Sequence, residues 1–427
     1  MTTVEDLNRV LPPLEFLEGF RLEVLNAAVI DPAKEWASSR SSMTVDKRVL
    51  SSTDVGVLLR RSEKALHEEL STLFASVREV LAAYTSGDHK SAAHLLIKLG
   101  AFYEDHRALS KARQTFASAL QISLPLQDRE CEIIALRRIG RVLKDEGHLI
   151  EALEYYRRSE SLAVDINDAG QAVIARTGCG NVLTLQGKLW EAESSYRDAL
   201  ELTKQAADDD ELAVSESQIL INLGMLATLQ GRNQVARDWL SRAKKKLTSV
   251  ESPVDQGIYL RNLAALEWHA GKHEESQQLF MTALALPIPT FLRASIATDL
   301  VESFLRSNQV ALAAEYGERA EEYAIASRSV WLMARMYRAL GMLSVATGNP
   351  DGVTFFEKSL ELAVAKQLPF LEAETLIEYA VLRRTTGDQE EAEAYLQRAE
   401  QICRGIGAVT LEGRVRDMLA EVDVAAA

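Results

Sequence analysis

The sequence predicts an all-α array of about eight helix-turn-helix units, and three observations carry that expectation. Small residues recur within apolar helical patterns roughly every 40 positions. They are Gly100, Gly140, Gly180, Gly224, Ala264, Val301, Gly341 and Ala380, at intervals of 40, 40, 44, 40, 37, 40 and 39, and only Val301 exceeds alanine in size. A second set keeps step with the first. Twelve residues on stand Ala112, Ala152, Ala192, Ala236, Ser276, Ala313 and Ala392; four further on, Phe116, Tyr156, Tyr196, Leu240, Phe280 and Leu396 are bulky; three more lead to another small residue, as at Ala119, Ser159 and Ala199. Finally, helix breakers are scarce. Nine Pro and 22 Gly in 427 residues are about 2% and about 5%, against averages of about 5% and about 7%. Self-similarity at a fixed period signals a repeat architecture, in which each unit buries its apolar face against its neighbours.

Each spacing has a mechanical reason. Small residues on two antiparallel helices let their backbones approach, and the bulky residue fills the space beside them. Seven residues after every first site but that of the opening unit, Gly147, Gly187, Gly231, Gly271, Gly348 and Gly387, with Asn308 in the sixth unit, end the first helix. Glycine and asparagine accept the left-handed conformation that such an end requires. Acidic residues then open the second helix, as in Glu191-Ala192 and Glu390-Glu391, where the helix dipole favours negative charge. Two units depart from the pattern. Val301 and Gly317 exchange large for small in the sixth, and the seventh is one residue short, so Phe356 and Ser359 must shift register. A hinge near residues 295–356 is one consequence, a tolerated irregularity the other.

The array is expected to span 91–407. Before it, 1–57 hold a Pro12-Pro13-led amphipathic helix and a Ser-rich linker at 38–54. That helix is either a further cap or a tethered segment lying in the array's groove. Residues 58–90 form an N-terminal capping helix with a stripe of Leu66, Leu70, Leu73, Phe74, Val77, Val80 and Leu81. A final capping helix over 408–427 uses Leu411, Val415, Met418, Leu419 and Val422. Solenoids need such caps to cover their open ends.

A net charge of −14 argues against non-specific nucleic-acid or acidic-membrane binding. Three scattered cysteines, Cys131, Cys179 and Cys403, suit a reducing cytoplasm rather than a disulfide framework. No signal peptide or membrane span is expected. Phosphate-loop, dinucleotide, zinc-helix and nucleophile-elbow motifs are absent. His269 and His273 are four apart but separated by Gly271, which is poor metal spacing, and Cys179 between two glycines reads as a packed, inert thiol. The sequence therefore implies neither an enzyme nor a cofactor nor a metal.

The pattern resembles the tetratricopeptide repeat, most closely in "GNVLTLQGKLWEAESSYRDALEL" from Gly180 to Leu202. The resemblance covers roughly three-quarters of the chain. Units near 40 residues, rather than the usual 34, are similar to those of kinesin light chains, Pins-type adaptors and Rap- or MalT-like bacterial regulators. The resemblance implies a right-handed superhelical solenoid whose first helices line a concave groove for a peptide. It places Arg137, Arg141, Asn181, Asn222, Met225, Arg261, Asn262, Trp268, Arg335 and Arg338 in that groove. The asparagines resemble peptide-backbone clamps, since a carboxamide both donates and accepts; Met225 and Trp268 would give an apolar floor. Arginine forks suit carboxylates, so the expected partner is an acidic peptide or protein segment. The alternative is that these arginines pair with glutamates on neighbouring helices. Functionally, the expectation is a non-catalytic regulator or adaptor in the cytoplasm; a self-associating scaffold, with homo-oligomers possible, is the other reading.

Overall fold

The computed structural model describes residues 71–204, 210–248 and 252–426, without the side chains of 210–214 and 421–426. The expected amphipathic helix and linker of 1–57, and the start of the capping helix, lie outside the described residues. Within them are eighteen helices and no strand. Helix α1 covers 71–85. Eight helix pairs follow: α2 (His89–Asp105) and α3 (Leu109–Leu126), α4 (Arg129–Asp145) and α5 (Leu149–Asp165), α6 (Ala169–Leu185) and α7 (Leu189–Thr203), α8 (Asp210–Leu229) and α9 (Asn233–Leu247). The remaining pairs are α10 (Pro253–His269) and α11 (His273–Leu284), α12 (Thr290–Arg306) and α13 (Val310–Ser327), α14 (Val330–Thr347) and α15 (Gly352–Ala365), α16 (Pro369–Thr386) and α17 (Gln389–Ile406), closed by α18 (Val409–Ala426). Contacts divide the chain into two compact units, one ending at Val142 and one beginning at Leu143.

In the first unit, α1 buries Leu73, Val77 and Val80, an i, i+4, i+7 stripe, while Phe74 is exposed and falls off it. Gly100 of α2 lies directly under the Phe116 ring of α3.

The second unit repeats that arrangement. A Cβ at Gly180 would fall 2.5 Å from the buried Tyr196 ring, and one at Gly341 would fall 2.7 Å from Phe356. The shortened seventh unit therefore brings its phenylalanine to the usual place. The sixth unit resolves its exchange differently. Val301 is fully buried, and Leu343 of α14 closes over Gly317, 3.1 Å from where its Cβ would stand. A single apolar cluster runs through Phe280, Ile296, Val301, Phe304, Ala320 and Ala339, so the core is continuous where a hinge was one option.

The turns within pairs follow one plan. Gly187 takes φ +72°, its N–H donates to the Thr184 carbonyl (3.0 Å) and the Lys188 N–H donates to Leu183 (2.9 Å). This pair of bonds satisfies carbonyls that the helix end would otherwise leave open. Asn308 does the same at φ 57°, with Gln309 donating to Phe304 (2.8 Å). At the far end α18 lays Leu411, Val415 and Met418 on Leu376 and Leu396.

Candidate functional site

Within the second unit, the first helices of successive pairs touch in order: α6 and α8, α8 and α10, α10 and α12, α12 and α14, α14 and α16. Together they make one continuous face, and polar residues fill it in two parts.

The first part is an amide pair. Asn181 on α6 accepts from the Tyr196 hydroxyl at 2.6 Å and from Asn222 Nδ2 on α8 at 3.1 Å. Tyr196 is fully buried, so packing fixes the ring and the ring fixes the asparagine. Among the described residues, the Asn181 Nδ2 and the Asn222 Oδ1 have no hydrogen-bond partner. One donor group and one acceptor therefore remain on neighbouring helices, the complement of a peptide bond.

The second part is a ladder of charges over α10, α12, α14, α16 and α18. Its first rung joins Arg261 Nε to Asp299 Oδ2 at 2.6 Å, with Arg335 on the other oxygen of the same carboxylate. Arg335 also donates to Ser295 Oγ at 3.1 Å and stacks over Trp331. The second rung joins Arg338 to Glu302 at 2.6 Å and to Glu374. The third places Glu378 between Arg306 (2.6 Å) and Arg414 (2.8 Å). Asp299, Glu302 and Arg306 stand at i, i+3 and i+7 of α12, hence on one side of it. Burial alone would raise the Asp299 carboxyl, but the two guanidiniums hold it below the ordinary range. Burial likewise opposes the charge of Arg335 and Arg338, and the carboxylates around them outweigh it.

The ten residues expected in the groove divide accordingly. Asn181 and Asn222 meet on the face, with Met225 half-buried one turn of α8 away. Arg261, Arg335 and Arg338 lie in the ladder; Arg335 and Arg338 are buried, so the alternative of pairing with neighbouring carboxylates describes them. Asn262 is not on the face: it is buried and donates to the Ile258 carbonyl of its own helix at 2.9 Å. Trp268 packs its ring against His273, 4.0 Å between centroids, beside the turn rather than as a floor. In the first unit, Arg137 is half-buried, and Arg141 shares the buried Glu104 carboxylate with Arg138 (3.2 Å). The sequence reading missed Asp299, Glu302, Arg306, Glu374, Glu378 and Arg414. All but Arg414 of the final helix sit within two turns of the small site in units adjacent to the arginines.

Nucleophilic chemistry has little support here. Burial pushes the Cys131 thiol up to about 11 and the Cys179 and Cys403 thiols up to about 12, with nearby carboxylates adding to it. All three cysteines are free and buried. A thiol reagent at pH 7 is therefore expected to react slowly with the native chain and to titrate three thiols once urea is added. Fast native labelling would contradict the packing. No cluster of metal-ligating residues occurs among the described residues, and none of their helices is long and apolar enough to cross a membrane.

A family profile described as tetratricopeptide repeat matches residues 131–205 and 215–288, which hold the clearest helix pairs and the amide pair. Those two stretches carry tetratricopeptide repeats. No curated protein matches it. Among solved structures, this tetratricopeptide array is similar to a Rap protein complexed with competence and sporulation factor, at 15% identity and TM-score 0.55 over 78% of this chain and 97% of that one. It is also similar to the Rap conjugation gene regulator of plasmid pLS20 in complex with the Phr* peptide, at 13% identity and TM-score 0.57 over 78% and 94%. A third is aspartyl phosphate phosphatase F from Bacillus subtilis, at 13% identity and TM-score 0.50 over 86% and 98%. At these identities the likeness is one of fold.

Proposed function

We propose that this chain is a non-catalytic regulator or adaptor of the cytoplasm that binds a peptide along the face of its first helices. The observation that carries the reading is the Asn181–Asn222 pair, two carboxamides on adjacent helices with one donor group and one acceptor unengaged. A helix surface that only had to pack would not keep half-buried amides turned to each other. A solved structure of like fold, the pLS20 Rap regulator, holds the Phr* peptide, which supports the same use of this face.

An acidic residue in the ligand suits the ladder beside the pair. Five arginines (261, 306, 335, 338 and 414) face four carboxylates (Asp299, Glu302, Glu374 and Glu378), which leaves one positive charge in excess. That excess is sharpest where Arg261 and Arg335 share Asp299, and a ligand carboxylate beside them would complete the pairing. Arg261 is the more open of the two, with a side chain 20% exposed against 8%.

The test is a panel of fluorescent synthetic peptides of five to eight residues, with and without Asp or Glu, titrated against the full chain by anisotropy. Acidic members should bind, and Asn181→Ala/Asn222→Ala should weaken them about tenfold, the loss of one to two hydrogen bonds of about 1 kcal/mol each. No binding by the unaltered chain, or equal binding by the double variant, would refute the proposal.

A further inference from the structure

In the second unit, the turns of early pairs meet the turns of late ones although nearly half the chain separates them. Gly147, between α4 and α5, lies against Lys366, which follows α15: a Cβ there would fall 2.8 Å from Lys366 Cδ. Gly187, between α6 and α7, faces Ile406 Cγ2 and Pro369 Cγ at 2.7 and 2.9 Å on the same measure. A Cβ at Gly231, between α8 and α9, would fall 3.0 Å from the Thr410 hydroxyl, and one at Gly407 would fall 3.5 Å from the Trp190 indole nitrogen. Three successive turns on one edge thus touch the chain from Lys366 to Thr410 on the other. At the later turns Gly271, Gly348 and Gly387, a Cβ would meet nothing within 4 Å.

This seam is close but thin. Bare glycine backbone meets the tips of side chains, and the apolar residues flanking it stay open to water: Trp190 is 65% exposed and Val409 58%. Contacts of this kind contribute about 0.1–0.2 kcal/mol per atom pair, far less than the charged rungs along the face. In a solenoid each repeat rests only on its neighbours, so small rotations between repeats add up. A slight spreading of the first helices is therefore largest at the two edges that meet here.

We propose that the seam is a latch on the peptide-binding face: closed in the unliganded chain, and opened for a peptide to reach the face of the first helices. This rests on the peptide-binding reading above. In the closed state the amide pair and the excess charge beside Asp299 are already in place for a ligand, so what opening changes is access. The latch sets the rate of entry, and the amide pair and the ladder set the affinity.

Two matched variants test it. Gly187→Asn places a side chain into Ile406 and Pro369; Gly271→Asn makes the same change at an equivalent turn with positive φ and open space. Asparagine tolerates that conformation better than other residues, so strain in the turn is common to both. In the full chain without ligand, Gly187→Asn should speed amide exchange over 406–410 at least tenfold and enlarge the radius of gyration by X-ray scattering. Gly271→Asn should match the unaltered chain in both. With the acidic peptide selected above, Gly187→Asn should raise the association rate several-fold. Equal exchange in the two variants would overturn the seam, and faster exchange with an unchanged association rate would overturn its gating. Failure of the unaltered chain to bind any peptide would overturn the reading beneath it, whatever the exchange shows.

Discussion

Replacing Glu378 with alanine is expected to destabilise the last repeats by about 3 kcal/mol, the low end of the range for breaking a buried ion pair. The carboxylate side chain is 8% exposed and accepts from Arg306 at 2.6 Å and Arg414 at 2.8 Å. Its removal leaves two guanidiniums facing each other across a cavity. Each of them is about a third exposed, and water recovers part of the loss, which is why the upper end of the range is not expected. Glu315→Ala gives the contrast. Its i, i+4 partner Arg319 and the glutamate itself are both about half exposed, and such pairs contribute about 0.3–0.5 kcal/mol. Long repeat arrays need not unfold in one step, so hydrogen exchange resolved by helix is the measurement. Glu378→Ala should speed exchange in α12, α16 and α18 and leave α6 and α7 as they were. Equal protection in α18 of variant and unaltered chain would refute it.

The same carboxylate gives a pH signature. Burial would raise it, but Arg306 and Arg414, with Arg338 nearby, bring it from an ordinary 4.5 down to about 2. A group lowered on folding adds stability that is complete above its unfolded value and is lost as pH falls through its folded one. The contribution should therefore be full above about pH 4.5 and fade toward pH 2. Other paired carboxylates, Asp299 and Glu267 among them, are lowered too. The informative quantity is thus the difference between the unaltered chain and Glu378→Gln, which should shrink over that interval. A difference independent of pH would place the charge elsewhere.

The fold was legible because packing demands repeat in every unit. Gly180, Ala192, Tyr196 and Ala199 each answer a local steric requirement, and the same requirement returns about 40 residues later with the same solution. Even the two exceptions kept the rule, since Leu343 and Phe356 supply volume where the pattern lacked it. The face was only partly legible, for its residues answer to partners in other units. Arg335 and Arg338 were placed on the first helices from register alone, but their burial depends on Asp299, Glu302 and Glu374 arriving from α12 and α16. Asn222 and Asn262 hold the same register, two before the small site. One turns to Asn181 and the other to its own backbone, a difference that the shared register does not encode. The seam had no sequence signal at all. Gly187 and Gly271 are both turn glycines of positive φ, and only the accumulated path of the repeats brings Ile406 to one and leaves the other open.

Gly180→Leu tests the contact on which both the repeat and the amide pair rest. A Cβ at this position would lie 2.5 Å from Tyr196 Cε1 and 2.8 Å from Cδ1 and Cζ. The ring cannot swing away cheaply, being fully buried with its hydroxyl on Asn181 at 2.6 Å. Overpacking of this kind costs about 1–3 kcal/mol, while replacing a mid-helix glycine returns up to about 1 kcal/mol of helix propensity. A net loss of about 1 kcal/mol is expected in urea denaturation, with peptide binding weakened as well, since moving the ring moves Asn181. A compensating change separates crowding from any other effect. The eighth repeat places Ala380 and Leu396 in one buried cluster, where the third has Gly180 and Tyr196. Gly180→Ala/Tyr196→Leu should therefore be more stable than Gly180→Ala alone, a favourable coupling between two residues in contact. It should not regain peptide binding, because leucine has no hydroxyl to hold Asn181. Recovery of stability without recovery of binding would tie the small residue to packing and the tyrosine to the site; additive losses in both measurements would mean that the two side chains do not meet.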